Sequence, residues 1–124
     1  MISAEQIESA VHRYLELVAG GTADEIAALF ADDATVEDPV GGGEVHIGRG
    51  AIHGFFKNVE SAQRTTELLA LRVAGHEAAF MFVITVDAGG HKVRIQPIDV
   101  MVFNAEGKIT SMKAYWSFAD ATQV

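Results

Sequence analysis

The hydrophobic pattern of this chain changes its period near residue 64, and that change limits the folds the chain can adopt. Before this point, apolar residues recur every three or four positions, which is typical of amphipathic helices. After it they recur at every second position, which is typical of strands with one buried face. Helices followed by strands with short turns between them predict an α+β fold. With 124 residues and no internal repeat or linker, we expect one domain over residues 1–124.

The helical half carries two helix-start signals and a clear stop. Ser3 with Gln6, and Thr22 with Glu25, have the spacing of capping boxes. The first helix is expected to end at the glycine pair at 20–21, because glycine commonly terminates helices. An extended segment, a flexible glycine loop and a third helix are predicted next, at Ala34–Pro39, Gly41–Gly43 and Ala51–Val59.

The second half is expected to form a curved, mainly antiparallel sheet. Short turns separate the strand candidates, as in hairpins. Three helices packed on such a sheet would make a conical fold with an apolar cavity inside. That cavity would account for an apolar content of 49%, which is high for a small acidic domain. The predicted strands are Thr65–Ala74, Ala78–Val86, Lys92–Phe103 and Lys108–Phe118.

Composition excludes several classes of function. Nine basic and 17 acidic residues give a net charge of −8, which repels nucleic acid. The longest clean apolar run, Ala78–Val86, is far shorter than the roughly 20 residues that cross a bilayer. The chain has no cysteine and no signal-peptide pattern at its start, so we expect a cytoplasmic protein. The five histidines show no metal-ligand spacing, so no metal is expected.

Asp99 is the most informative single residue, because it lies within an apolar strand candidate. Aspartate is disfavoured in strands and is seldom buried without a partner. Apolar neighbours on both sides predict that this half of the strand is buried on both faces. A buried Asp99 would be driven toward its neutral form, which can donate a hydrogen bond. Alternatively, a backbone N–H, or an arginine or lysine of a neighbouring strand, could satisfy the carboxylate.

Asp38 and Tyr14 are the other two candidates for chemistry. Asp38 lies between an extended segment and the glycine loop, where a carboxylate could reach the mouth of a cavity. The ordinary alternative is a turn residue, since Asp-Pro commonly opens turns. Tyr14 lies on the apolar stripe of the first helix. It could be a core aromatic, or a neutral hydroxyl donor that points into the cavity.

The sequence resembles the 3-oxosteroid delta-isomerases, or ketosteroid isomerases, of the nuclear-transport-factor-2-like superfamily. The resemblance rests on Tyr14 in His-Arg-Tyr, on residues 31–41 (ADDATVEDPVG) and on residues 97–103 (PIDVMVF) with the turn that follows. It covers essentially the whole chain. It implies the conical α+β fold, a homodimer formed through sheet surface, and no cofactor. It also implies conversion of a β,γ-unsaturated 3-oxosteroid to the conjugated enone through a dienolate.

The resemblance also implies roles for the three candidates. Asp38 matches the general base that moves the proton. Tyr14 and a protonated Asp99 match the two donors to the dienolate oxygen, the arrangement already described for ketosteroid isomerases. A small apolar substrate implies apolar cavity walls. We expect those walls to include Phe55, Phe56, Phe80, Phe82, Met101, Met112 and Trp116.

Two positions depart from the family pattern. Members often have Phe-Tyr at residues 55–56, and some have a tyrosine at residue 30. This chain has phenylalanine at both tyrosine positions, Phe56 and Phe30. The hydroxyl network behind Tyr14 is therefore expected to be shortened.

Two other functions remain open on the same fold. One is a different enzyme, such as a polyketide cyclase, a dehydratase or an epoxide hydrolase. The hydrolase would need a second carboxylate and an arginine around a water. The other is a non-catalytic module that binds an apolar ligand, in which Asp99 would be ionised and paired.

Overall fold

The computed structural model describes residues 2–124 and has the expected α+β architecture of three helices against a curved sheet. The helices are α1 (Ala4–Gly20), α2 (Ala23–Ala27) and α3 (Arg49–Lys57), with a short 3-10 helix at Phe118–Asp120. The strands are β1 (Phe30–Glu37), β2 (Val45–Ile47), β3 (Gln63–Ala74), β4 (Glu77–Ala88), β5 (His91–Ile95), β6 (Ile98–Phe103), β7 (Ile109–Tyr115) and β8 (Ala121–Gln123). The eight strands follow the order β2-β1-β7-β6-β4-β5-β8, with β3 paired to β4. All pairings are antiparallel except that of β1 with β7.

Both predicted capping boxes are present. Ser3 and Gln6 exchange hydrogen bonds at the start of α1, and Thr22 and Glu25 do so at the start of α2. These reciprocal bonds satisfy backbone N–H groups that a helix start leaves without partners. The apolar stripe of α1 is buried against the sheet and forms the core with β4, β6 and β7. Its buried residues are Ile7, Val11, Tyr14, Leu15, Leu17 and Val18.

The strand predicted at Lys92–Phe103 is wrong as a single element, because the sheet is interrupted at Pro97. Proline has no N–H to donate to a ladder, so β5 ends at Ile95 and β6 begins at Ile98. The two pieces nevertheless keep one register against β4, with Ile95 opposite Ile84 and Ile98 opposite Met81. Pro97 still accepts a bond through its carbonyl, at 3.3 Å from the N–H of Phe82.

The boundaries around the second helix and the glycine loop also differ from the prediction. The first strand starts at Phe30, four residues before the predicted extended segment, because it pairs in parallel with β7 from Ile109 onward. The three-residue strand β2 was not predicted, since its only strand neighbour is β1. The third helix runs from Arg49 to Lys57 instead of residues 51–59.

The last predicted strand ends early, and one face of β6 is more open than expected. β7 stops at Tyr115, and Phe118 lies in the 3-10 helix with 90% of its surface exposed. Along β6, Asp99, Met101 and Phe103 are buried, whereas Ile98 on the opposite face is 40% exposed. The prediction that β6 is buried on both faces is therefore wrong: only the face toward the helices is covered. Within residues 2–124, the structure contains no helix long and apolar enough to span a bilayer.

Candidate active site

A cavity of about 250 Å³ lies between α1, α3 and the inner face of the sheet. The helices form one side of the cavity wall. The interrupted part of the sheet around Pro97 forms the other side. Asp38 is the only acidic side chain on this wall among the residues that the structure describes. The lining residues are Tyr14, Val18, Asp38, Phe55, Phe56, Asn58, Val59, Phe82, Ile84, Val86, Ile95, Pro97 and Trp116.

Asp38 stands at the end of β1 with its carboxylate held at the cavity wall. Trp116, which follows β7, donates its indole N–H to Asp38 Oδ1 at 2.7 Å. The parallel pairing of β1 with β7 brings these two residues together, although 78 positions separate them. Burial raises the pKa of Asp38, and the hydrogen bond from Trp116 and the charge of His46 lower it in part. The carboxylate is thus a stronger base than an exposed aspartate.

Asp99 is almost completely buried on the inner face of β6. Its cross-strand neighbours are Phe80 on β4 and Ala114 on β7, neither of which can neutralise a charge. Its Oδ1 atom is buried and has no hydrogen-bond partner within residues 2–124. Burial, and then the charge of Asp38, raise the pKa of Asp99 well above its ordinary value. Both influences favour the neutral carboxylic acid, the form that can donate a hydrogen bond.

Tyr14 is buried on α1 and presents its ring edge-on to two phenylalanines. The ring centroids lie 6.2 Å from Phe56 and 6.3 Å from Phe80. Burial, followed by the charges of Asp99 and Asp38, raises the pKa of Tyr14 well above its ordinary value. The phenol therefore stays protonated. Because the charges of Asp99 and Asp38 both affect the pKa of Tyr14, the three predicted site residues are close enough to interact electrostatically.

The residues behind Tyr14 carry no hydroxyl. Phe56 packs on Tyr14 and also on Phe30, with ring centroids 6.1 Å apart in the second pair. These are the two positions at which the sequence departs from the pattern of tyrosines. Packing, and not a chain of hydrogen bonds, therefore holds the Tyr14 ring at this side.

The predicted wall residues fall into two groups. Phe55, Phe56, Phe82 and Trp116 line the cavity. Phe80, Met101 and Met112 do not line it; they lie in the fully buried core, where Met101 is directly opposite Met112 on β6 and β7.

Sequence reasoning missed seven further lining residues. They are mostly aliphatic positions, whose alternation predicted a buried face but could not distinguish core from cavity wall. They are Val18, Val59, Ile84, Val86, Ile95, Asn58 and Pro97.

Known proteins with this fold define a class. A family model described as the SnoaL-like domain matches residues 11–112, so the chain is a SnoaL-like domain. One solved structure, of the epoxide hydrolase/cyclase-like enzyme SalBIII, matches with a TM-score of 0.90 and 30% identity over the whole of both chains. The structure of RV0760c from Mycobacterium tuberculosis shares the fold over the whole of both chains, with a TM-score of 0.90 and 22% identity.

A curated relative narrows the class. The chain is 54% identical to a steroid delta-isomerase of Nocardioides simplex over 120 residues, which cover 96% of this chain and 95% of that protein. Within the SnoaL-like fold, the chain therefore belongs to the steroid delta-isomerase family and is an isomerase.

Proposed function

We propose that the protein converts β,γ-unsaturated 3-oxosteroids to conjugated α,β-unsaturated 3-oxosteroids by moving one proton within the substrate. One observation carries the proposal: two carboxyl groups of one site have opposite environments. Asp38 lies at the cavity wall with a donor on one oxygen, whereas Asp99 is buried with an oxygen that has no partner. Proton transfer through an enolate needs one ionised base and one neutral acid, and this pair supplies both.

Asp38 is the general base in this proposal. Because Trp116 occupies Oδ1, Oδ2 is free to take the proton from the carbon between the carbonyl and the double bond. The electrons of that C–H bond form a dienolate, and the charge moves to the ketone oxygen. Asp38 then returns the proton to the γ carbon, the double bond becomes conjugated with the carbonyl, and the carboxylate is restored. No cofactor or water enters the balance.

Tyr14 and Asp99 are the two donors to the dienolate oxygen. Both are buried and protonated, so they need no reorganisation when the negative charge develops. Their low-dielectric surroundings strengthen hydrogen bonds to an oxyanion relative to water. Removal of one such donor typically lowers the rate by about 10²–10³-fold.

The cavity wall suits a neutral, flat and apolar substrate. The rings of Phe55, Phe56 and Phe82 and the indole of Trp116 offer aromatic surface, while the polar groups are confined to one end. Binding is expected to come from burial of apolar area, and the net charge of −8 should have little influence on a neutral steroid.

The direct test supplies a 5-ene-3-oxosteroid and follows the absorbance of the conjugated enone. The wild-type protein should isomerise this steroid. Asp38→Asn, which cannot accept the proton, should lose nearly all kcat. Asp33→Asn removes an exposed carboxylate of the same strand and should retain activity. Absence of wild-type turnover, or full activity of Asp38→Asn, would contradict the proposal.

A hydrolase of the SalBIII type is less well supported by the site. That chemistry would require a second carboxylate and an arginine around a water. Asp99 could supply the second carboxylate, but the cavity wall of residues 2–124 includes no arginine. A passive binding module is also disfavoured, because Asp99 is unpaired at Oδ1 where that function expects an ion pair.

The outer face of the sheet supports assembly as a homodimer. Ile98 and Tyr115 are direct cross-strand partners, and they are 40% and 46% exposed. Met81 on β4 is opposite Ile98 and extends the same row. An apolar row across three adjacent strands is the kind of surface that a second copy of the chain would cover.

A further inference from the structure

Arg64 is a buried cation whose hydrogen-bonding capacity is largely unused. The side chain is on β3 and the residue is only 9% exposed. Its Nη2 atom donates to the carbonyl oxygen of Gly21 at 3.0 Å. Its Nε and Nη1 atoms are buried and have no partner within residues 2–124. A buried guanidinium with unused donors is unfavourable, because its lost hydration is not replaced.

Arg64 borders a groove next to the cavity, and the sheet register pairs it with a residue at the outer end of the cavity wall. Its cross-strand partner is Val86, and direct partners in an antiparallel pair project to the same face. Val86 lines the cavity, as does Val18, three residues before the glycine that Arg64 contacts. Asp99 is opposite Phe80, six residues before Val86 on the same strand. At the rise of an antiparallel strand, the two ends are about 20 Å apart.

No acidic group within residues 2–124 neutralises Arg64. Glu60 is near it at a groove, but its two oxygens accept from the N–H of Ala23 and from Lys57, each at 2.6 Å. Asp87 also borders that groove, but it is adjacent to Val86 on β4 and therefore projects to the opposite face of the sheet, directly across from Lys92. The guanidinium therefore retains a charge for which the described chain offers no counter-ion.

We infer that Arg64 forms a carboxylate subsite that recognises an acidic side chain at the end of the steroid remote from its 3-oxo group. This inference rests on the proposed function, which fixes the 3-oxo group at Tyr14 and Asp99. The distance from that end to Arg64 exceeds the length of a four-ring nucleus, so a side chain on ring D must bridge the remainder. When the guanidinium turns toward the cavity, the unpartnered Nη1 and the second N–H of Nη2, which share one edge of the group, form a bidentate pair with the carboxylate.

The inference names a substrate class: 5-ene-3-oxosteroids whose ring-D side chain ends in a carboxylate. The test compares one such acid with its methyl ester, which has the same nucleus and side chain but no charge. Initial rates from enone absorbance give kcat and KM for each substrate. Wild type should show a KM for the acid about 10- to 100-fold below that for the ester, with similar kcat.

Variants of Arg64 separate recognition from folding. Arg64→Met keeps the apolar stem and should raise the KM of the acid to that of the ester, while the ester is turned over as by wild type. Arg64→Lys, which keeps the charge but not the paired donors, should retain part of the preference and serves if the Met variant does not fold. Arg72→Met removes an exposed arginine from the same strand and should change neither KM.

The outcomes are distinguishable. Equal KM values for acid and ester in wild type, or equal loss of both in the Arg64 variants, would overturn the carboxylate subsite and leave the isomerase standing. If wild type turns over neither substrate, the proposed function fails and this inference fails with it. Binding of the two conjugated products can be followed independently by fluorescence of Trp116, the single tryptophan of the chain and a cavity residue. A product acid that binds no tighter than its ester would likewise contradict the subsite.

Discussion

At the scale of single residues, burial and neighbouring groups favour different protonation states of the two site aspartates. Asp38 keeps a donor from Trp116, which favours its ionised form against the effect of burial. Asp99 has no donor on Oδ1 and faces the charge of Asp38, so both influences favour its neutral form. In the proposed mechanism, the same residue type therefore supplies a base and an acid at one pH.

Burial of Asp99 should make the stability of the protein fall as the pH rises. Because the pKa of Asp99 is raised in the folded state, the folded protein holds a proton that the unfolded chain releases. Between the ordinary carboxyl pKa and the raised folded pKa, the free energy of unfolding must decrease with pH. Asp99→Asn stays neutral, so it should become increasingly more stable than wild type across this range. Urea unfolding at a series of pH values measures the difference.

The control for this effect is Asp33→Asn, which removes an exposed carboxylate from β1. Its unfolding free energy should follow that of wild type at each pH. A constant gap between Asp99→Asn and wild type would show that Asp99 is ionised in the folded protein. The stabilised Asp99→Asn should still be a poorer isomerase than wild type, because an amide is a weaker donor to an oxyanion than a carboxylic acid.

The hydrogen bond from Trp116 should set the acid limb of the pH–rate profile. Trp116→Phe keeps an aromatic wall but removes the N–H that lowers the pKa of Asp38. We expect the pKa of Asp38 to rise, so the acid limb of kcat/KM should move to higher pH. Phe55→Leu changes the same wall without touching Asp38 and should alter KM without moving that limb. An unmoved limb in Trp116→Phe would show that this hydrogen bond does not control the base.

At the scale of elements, local signals were predictable and long-range ones were not. The capping boxes of α1 and α2 depend on residues three positions apart, so the sequence alone located both helix starts. The short strand β2 and the early start of β1 depend on pairing with distant segments, which no local pattern reports. Arg64 was missed for the same reason, because the contact that it makes when buried is with Gly21, 43 positions earlier in the chain.

Candidate site residues follow the same division. Asp99 could be found because a charge in an apolar strand violates a local rule. The partnership of Asp38 with Trp116 could not, because it joins the ends of two strands that are far apart in the chain. The division of the apolar residues between the core and the cavity wall was likewise beyond periodicity, as Phe80 and Phe82 illustrate: they lie on the same face of β4, but only Phe82 lines the cavity.

Arg49 ties α3 to the irregular start of β1, and its loss should loosen both. Its Nη2 and Nε atoms donate to the carbonyl oxygen of Phe30 at 2.6 and 3.2 Å, and Nη1 contacts Asp32 at 2.8 Å. The register of β1 against β7 shifts just beyond Phe30, so this carbonyl depends on the side chain. Arg49→Met should lower the free energy of unfolding by about 1–3 kcal/mol, as measured with urea.

Arg13→Met is the matched control, because Arg13 forms only an exposed 3.8 Å contact with Glu16. It should change stability by less than about 1 kcal/mol. Equal effects of the two variants would show that the contact of Arg49 with the β1 carbonyl contributes nothing specific. Since α3 carries Phe55 and Phe56, Arg49→Met should also raise the KM for a steroid more than it lowers kcat.

At the scale of the whole molecule, apolar residues serve three different surfaces. One set forms the core beneath α1, a second lines the cavity, and a third remains on the outer face of the sheet. The cavity and the outer face lie on opposite sides of β4 and β6. Assembly through the outer face would therefore leave the mouth of the cavity free for substrate.

The outer face gives a prediction about oligomeric state. Ile98→Lys places a charge in the centre of the row formed by Met81, Ile98 and Tyr115, where a partner subunit would have to desolvate it. We expect wild type to sediment as a dimer and Ile98→Lys as a monomer at micromolar concentration. Val45→Lys, at an exposed apolar position on β2 remote from this row, should remain dimeric. Because Ile98 precedes Asp99, the monomer should also lose activity as the strand that carries the proton donor loses its cover. A monomeric wild type, or a dimeric Ile98→Lys, would place the subunit contact elsewhere or remove it altogether.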